Sequence, residues 1–214
     1  MALTLHAHPL SSYCWKALIA LYENKTPFEF HLLGNGALES PEFLALWPLG
    51  KMPVLVDGDR VVVETSIIVE YLDLHHPGAA PLVPKDKDEA IEVRMLDRIF
   101  DHYVMSPMQK IVFNRFCPAE ARNAHDVTTS RSTIEKAYLW LDHRLEGRRW
   151  AGGDMFSLAD CAAGPSLHYA EKVQPMAGRF PKLASYLDRL EKRPSFARVL
   201  EEAKPYSDMF PTGD

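Results

Sequence analysis

From Leu3 to Ala7 apolar and polar residues alternate, the period of a half-buried strand. A turn holding Ser11, Ser12 and Cys14 then gives way to Trp15, Leu18, Ile19 and Tyr22 at helical spacing. The alternation returns at Phe28, Phe30 and Leu32, after which "SPEF" presents Ser40 as an N-cap with Pro41 at the first helical position, where its missing N–H is harmless. "PVLV" and "RVVV" flank the turn "DGD", a hairpin signal, and Ser66 to His75 reads as a helix stopped by Pro77. The pattern predicts βαβαββα.

Beyond "HHPGAAPLVPKDKDEA" the strand signal disappears, which makes this Pro, Ala and charge-rich stretch the best linker in the chain. We expect one unit over residues 1–79, a linker over 80–88 and an all-helical unit over 89–214. In the helical unit Leu96, Ile99, Phe100 and Tyr103 define one expected apolar face, and Ile134, Tyr138, Leu141 and Leu145 another. Further helices are expected to begin near Ser157, Pro181 and Ser195. In "FSLAD", Ser157 and Asp160 have the spacing of a capping box, so Asp160 reads as structural.

Composition narrows the partners. Of 214 residues, 47% are apolar and 25% charged, values of an ordinary folded domain. The formal charge of -5 is dispersed, and no Lys/Arg cluster is interleaved with aromatics, so nucleic acid is not an expected partner. No run of apolar residues is long enough to cross a membrane, and "MALTLHAHPL" lacks the basic start and apolar centre of a secretory signal. We expect a cytoplasmic protein. The three cysteines, Cys14, Cys117 and Cys161, lack paired spacing, and "LHAHP" and "LHHPG" lack the companions of a metal motif, so neither disulfides nor a metal is expected.

Three places could carry chemistry. Pro53 in "LGKMPVL" stands just before a strand, where a residue without an N–H needs an edge or a turn. Local statistics favour a trans bond before it, and the backbone of Met52 could pair with an extended peptide as an added strand would. Glu64 and Thr65 stand where a strand gives way to a helix: free N–H groups and the Thr65 hydroxyl suit an anion, and Glu64 suits an ammonium group. The opening turn offers Cys14, which is either a thiolate activated by the helix or a small buried residue, and Ser11, which is better used as a hydrogen-bond donor than as a nucleophile.

Taken in order, Ser-x-x-Cys before a helix, Lys-Met-Pro-Val, Glu-Thr before a helix, and a helical half containing "FSLAD" resemble the cytosolic glutathione transferases over nearly the whole chain. The resemblance implies an α+β architecture, a thioredoxin-like N-terminal domain followed by an all-helical one, and a symmetric homodimer. By resemblance to the serine-using theta and zeta classes, Ser11 would activate the thiol of glutathione as cosubstrate, with Ser12 the neighbouring alternative. It also implies a cis bond before Pro53, Met52 pairing with the cysteinyl part, Glu64 and Thr65 holding the γ-glutamyl group, and Lys51 near the glycyl carboxylate. The expected reaction is attack on a small hydrophobic electrophile held by Leu10, Tyr103, Met108 and Ile111. A zeta-like isomerase, in which Tyr13 stands where that class has its cysteine, a thiol oxidoreductase and a non-catalytic binding protein remain open.

Overall fold

The alternation at Leu3 to Ala7 becomes β1 (Thr4–Ala7), with Leu5 and Ala7 buried and Thr4 and His6 partly open on the other face. The computed structural model describes residues 3–211. α1 (Ser12–Asn24) crosses to β2 (Glu29–Leu32), which pairs parallel with β1, Leu5 opposite Phe30; parallel neighbours need such a crossover. After α2 (Pro41–Leu46), β3 (Val54–Asp57) runs antiparallel to β1, and β4 (Arg60–Val62) antiparallel to β3. The strand order is β2-β1-β3-β4, and α3 (Thr65–His75) completes the expected βαβαββα unit. Ser40 caps α2 as its place before Pro41 predicts, its Oγ accepting from the Phe43 N–H at 3.2 Å.

The remaining described elements are helical. They are α4 (Lys87–Ile99), a π-helical segment (Phe100–Met105), α5 (Ser106–Phe116), a short 3-10 turn (Ala119–Ala121), α6 (Ala124–Arg144), α7 (Leu158–Val173), α8 (Pro181–Glu191), α9 (Pro194–Ala203) and a terminal 3-10 turn (Lys204–Met209). α4 starts at Lys87 because the Asp86 carboxylate caps it, accepting from the N–H groups of Asp88 and Glu89 at 3.0 Å each. α7 is buried on nearly every side, as a central helix must be. Gly164 lets its neighbours approach: a Cβ there would lie 3.2 Å from Phe196 of α9 and 3.5 Å from Ile19 of α1. At its start, Asp160 accepts from Ser157 N–H at 2.8 Å, Ala151 N–H at 2.9 Å and the Tyr186 hydroxyl at 2.5 Å, a wholly buried structural carboxylate. One hydrophobic core runs through both halves, and Trp15 of α1 packs on Tyr169 of α7 at 4.7 Å between ring centroids.

The expected face Leu96, Ile99, Phe100 and Tyr103 breaks at its last member. Leu96 and Phe100 are buried, but Tyr103 is 54% exposed, and Val104 and Met105 are buried in its stead. The break falls within the π-helical segment, whose wider turn departs from the 3.6-residue spacing on which the expected face rests.

Midway along α1, in the apolar run "CWKALIAL", stands Lys16, whose side chain is wholly buried. Its Nζ lies 2.5 Å from Asp97 Oδ1 and 2.8 Å from Asp101 Oδ2, and donates to the Ser66 hydroxyl at 2.8 Å. Ser66 donates in turn to Asp97 Oδ2 at 2.8 Å, and the Arg98 guanidinium closes the cluster from the rim by donating to both carboxylates. α1, α3 and α4 with its π-helical extension are thereby tied together through charge. Removing the ammonium alone leaves two buried carboxylates to the rim guanidinium of Arg98, so Lys16→Met is expected to lower the unfolding free energy by about 3 kcal/mol, read from urea denaturation monitored by circular dichroism.

Candidate active site

The loop between β1 and α1 is held from several directions. Leu10 N–H donates to His8 Nδ1 at 3.1 Å, Ser11 N–H to the His8 carbonyl at 3.0 Å, and the Trp15 indole to the Pro9 carbonyl. From α7, the Tyr169 hydroxyl donates to the Leu10 carbonyl at 2.8 Å. Ser11 emerges as the N-cap of α1 in extended conformation, its Oγ accepting from Cys14 N–H at 3.3 Å. As an acceptor there, the hydroxyl keeps its own proton for donation at the positive end of the helix. Ser12 is nearly buried, and its Oγ accepts from Gln109 Nε2 of α5 at 3.4 Å.

Both serines line a cleft of about 520 Å³ between the sheet unit and the helical unit. Leu10, Tyr13, Lys51 and Met52 stand on the sheet side, and Met108, Gln109, Val112, Phe113 and Phe116 of α5 face them. Lys51 is exposed. The bond from Met52 to Pro53 is cis, against the local expectation of trans and in line with the resemblance. Gly50 makes the preceding turn possible: its φ is +59°, and a Cβ would come within 3.1 Å of the Leu38 carbonyl oxygen.

At the start of α3, Glu64 is exposed and holds a φ of 65°, a strained conformation for a residue with a side chain. Thr65 behind it is buried. These two do not line the cleft, but the charge of Glu64 reaches it: the Tyr13 phenol, which does line it, is pushed up to about 12 by burial first and then by Asp101, with Glu64 adding to the effect. Tyr13 therefore stays protonated at neutral pH. Cys14 is fully buried, and burial pushes its thiol up to about 11, so it packs rather than reacts.

The expected electrophile wall is half corrected. Leu10 and Met108 line the cleft; Ile111 faces the core at 1% exposure, and Tyr103, within the π-helical segment, is exposed and does not line the cleft. Met108 and Val112 stand among the apolar residues of α5, and Gln109, Phe113 and Phe116 of the same helix line the cleft with them. Tyr169 and Phe210 were likewise missed: their rings stack at 5.4 Å beside the cleft, and the Arg115 guanidinium donates to the Pro211 carbonyl at 3.1 Å. Spacing within one element cannot announce contacts between α7 and the segment after α9. Among the described residues no group of three or more His, Cys, Asp or Glu side chains could hold a metal ion, and no helix is long and apolar enough to cross a membrane.

A thioredoxin-like sheet, a serine at the first helix and a cis-proline turn sharing one cleft with a helical unit define the glutathione transferase architecture. The domain family described as "Glutathione S-transferase, N-terminal domain" matches residues 5–80, and "Glutathione S-transferase, C-terminal domain" matches 104–194. "Glutathione S-transferase 1" of Dianthus caryophyllus is 30% identical, with 95% of this chain and 94% of that protein aligned. The Vibrio cholerae protein named "Probable maleylacetoacetate isomerase" is 29% identical over 96% of this chain and 98% of its own length. A crystal structure of a glutathione S-transferase from Methylobacillus flagellatus with glutathione bound superposes with a TM-score of 0.84 at 28% identity, covering 92% of this chain and 98% of that one. The chain belongs to the glutathione S-transferase family.

The burial of Cys14 and Cys161 leaves Cys117, partly exposed at the end of α5, as the reactive thiol. An Ellman titration at pH 8 is expected to count one fast-reacting thiol per folded chain and three after denaturation.

Proposed function

We propose that this protein is a serine-type glutathione transferase in which Ser11 stabilises the glutathione thiolate for attack on a small hydrophobic electrophile. The observation that carries the reading is the Ser11 hydroxyl, an N-cap acceptor with its proton free, in one cleft with the cis Met52–Pro53 turn. In this reading residues 1–79 hold glutathione and 89–214 the electrophile. The Met52 backbone pairs with the cysteinyl unit as an added strand, with Pro53 shaping the turn, while the N-terminus of α3 with Thr65 takes the γ-glutamyl carboxylate and Glu64 its ammonium. Lys51 approaches the glycyl carboxylate. Ser12, already engaged by Gln109, is the weaker candidate for the thiol.

A thiol of pKa about 8.5 is roughly 3% ionised at pH 7. Lowering it by about two units takes about 2.7 kcal/mol of differential stabilisation and raises the thiolate fraction to roughly three quarters, a gain near 25-fold. The rest of the acceleration comes from holding the electrophile in line. The Vibrio cholerae relative supports a second reading, a glutathione-dependent isomerase using the same thiolate. We place the protein in the cytoplasm as a homodimer. Exposed Ile67 and Leu74 on α3 and Ile91 and Met95 on α4 offer the apolar surface, with Arg94 paired to Glu70 at 2.7 Å between the two helices.

Ser11→Ala is expected to bind glutathione within about threefold of the native affinity and to lose about 25-fold in kcat/KM at pH 7 with a chlorinated nitroaromatic. Its pH–rate profile shifts upward by about two units if Ser11 supplies the stabilisation, and an unshifted profile transfers the role to Ser12. Leu74→Glu, measured by sedimentation, is expected to halve the apparent mass.

A further inference from the structure

We infer that Tyr169 is a positioning residue for Ser11: its hydroxyl, reaching over from the helical unit, fixes the peptide group that presents the serine to the glutathione thiol. The inference rests on the transferase reading above and adds a residue to its machinery. The turn from His8 to Ser11 can be accounted for group by group. The Leu10 N–H donates to His8 Nδ1 at 3.1 Å, and the Ser11 N–H to the His8 carbonyl at 3.0 Å. The Pro9 carbonyl accepts from the Trp15 indole, and the Ser11 carbonyl from the Trp15 N–H at 3.0 Å. That leaves the Leu10 carbonyl, which accepts from the Tyr169 hydroxyl at 2.8 Å, 159 residues further along the chain. The other partners belong to the turn itself or to the start of α1, and Tyr169 is the one supplied by the helical unit.

The Leu10 carbonyl and the Ser11 N–H belong to one planar peptide group, so a hydrogen bond at each end fixes its rotation. That rotation sets the direction in which Ser11 leaves the turn. It thereby sets where the Ser11 Oγ stands as it accepts from the Cys14 N–H at 3.3 Å and lines the cleft. Without the Tyr169 hydroxyl one tie remains, and the carbonyl is left without its donor, so the peptide group rotates to find another. A hydrogen bond weakens steeply as its distance and angle depart from the optimum, so a small displacement of Oγ reduces what it gives to a thiolate.

Tyr169 is itself held firmly. It stands on α7, the helix buried on nearly every side, and its ring packs on Trp15 and stacks on Phe210 at an interplanar angle of 24°. Trp15 and Tyr169 therefore hold successive carbonyls of the turn, Pro9 and Leu10, while their rings pack on each other. Burial pushes the Tyr169 phenol well above its ordinary range, so it remains a donor wherever the reaction runs. The serine that would activate the thiol belongs to the sheet unit, and its aim is completed by the helical unit.

The test titrates the thiol of bound glutathione through the ultraviolet absorption of its thiolate, in the binary complex, so that no electrophile enters. Tyr169→Phe keeps the ring and loses the hydroxyl. Its bound thiol is expected to titrate about one unit above that of the native protein, with glutathione affinity kept within about threefold. At saturating glutathione, kcat/KM for a chlorinated nitroaromatic then falls about threefold at pH 7 and returns to the native value near pH ~9, where both thiols are ionised. A general loosening would instead lower it by one factor at every pH. The other titratable groups lining the cleft, His8, Tyr13 and Lys51, are the same in both proteins, so the shift reports geometry. In a Ser11→Ala background, Tyr169→Phe is expected to add no further shift, because it acts through the serine. Phe210→Ala removes the ring stacked on Tyr169 and is expected to shift the thiol the same way by about half a unit, which preserves the test if Tyr169→Phe does not fold. A thiol unshifted in the folded variants, or shifted equally with and without Ser11, overturns the inference and leaves the transferase reading intact. Native protein that binds glutathione without lowering its thiol pKa overturns both.

Discussion

A fully buried ammonium group is tolerable only where opposite charge meets it at hydrogen-bond distance, and Lys16 meets two carboxylates and a hydroxyl. The rest of the architecture is arranged around that constraint. Ser11 caps the helix that carries Lys16, Glu64 and Thr65 open the helix that carries Ser66, and Asp97 and Asp101 come from α4 and its π-helical extension. The groups proposed to hold the two ends of one ligand are thus fixed relative to each other by a cluster that touches neither. An apolar contact of similar area would resist separation but would slide; charged groups with directional bonds define distance and rotation together.

The same opening turn shows how burial reassigns chemistry. Cys14 is the most nucleophilic residue type in it, but the helix that could have activated its thiol also carries it into the core, and desolvation outweighs the favourable influence of its polar neighbours in the loop. Ser11 keeps its place at the cleft because a cap must stand outside the helix it caps. A hydroxyl is a poor nucleophile and an adequate donor. In the proposed reaction only the second property is needed.

Features whose cause is local were legible before folding. Ser40 with Pro41, Ser157 with Asp160 and the alternation of β1 act over a few residues and therefore appear as spacing. The cis bond at Pro53 was not legible locally, because the preference for trans is overturned by the turn that the surrounding fold imposes; the resemblance supplied it. Lys16 could be seen as a lone cation in an apolar run, but its partners Ser66 and Asp101 lie 50 and 85 residues away, beyond any periodicity. Of the candidate site, the sheet-side members were readable from motifs. The helical wall was not, because which face of α5 meets the cleft is decided by its packing against distant elements, which spacing within the helix does not record. Leu10 and Met108 kept their expected places, while Ile111 and Tyr103 exchanged theirs for the core and the surface.

The π-helical segment sets the phase between two uses of one continuous helical path. Before Phe100 the inward stripe, Val93, Leu96 and Phe100, is spent on the core, and after Met105 the path must both pack Ile111 against the core and show Gln109 and Phe113 to the cleft. Lengthening or shortening the π-helical segment by one residue would present a different set of α5 side chains, with every residue of α5 itself unchanged. A family built on this scaffold can therefore change what it accepts by altering the winding of a helix as well as the side chains along it.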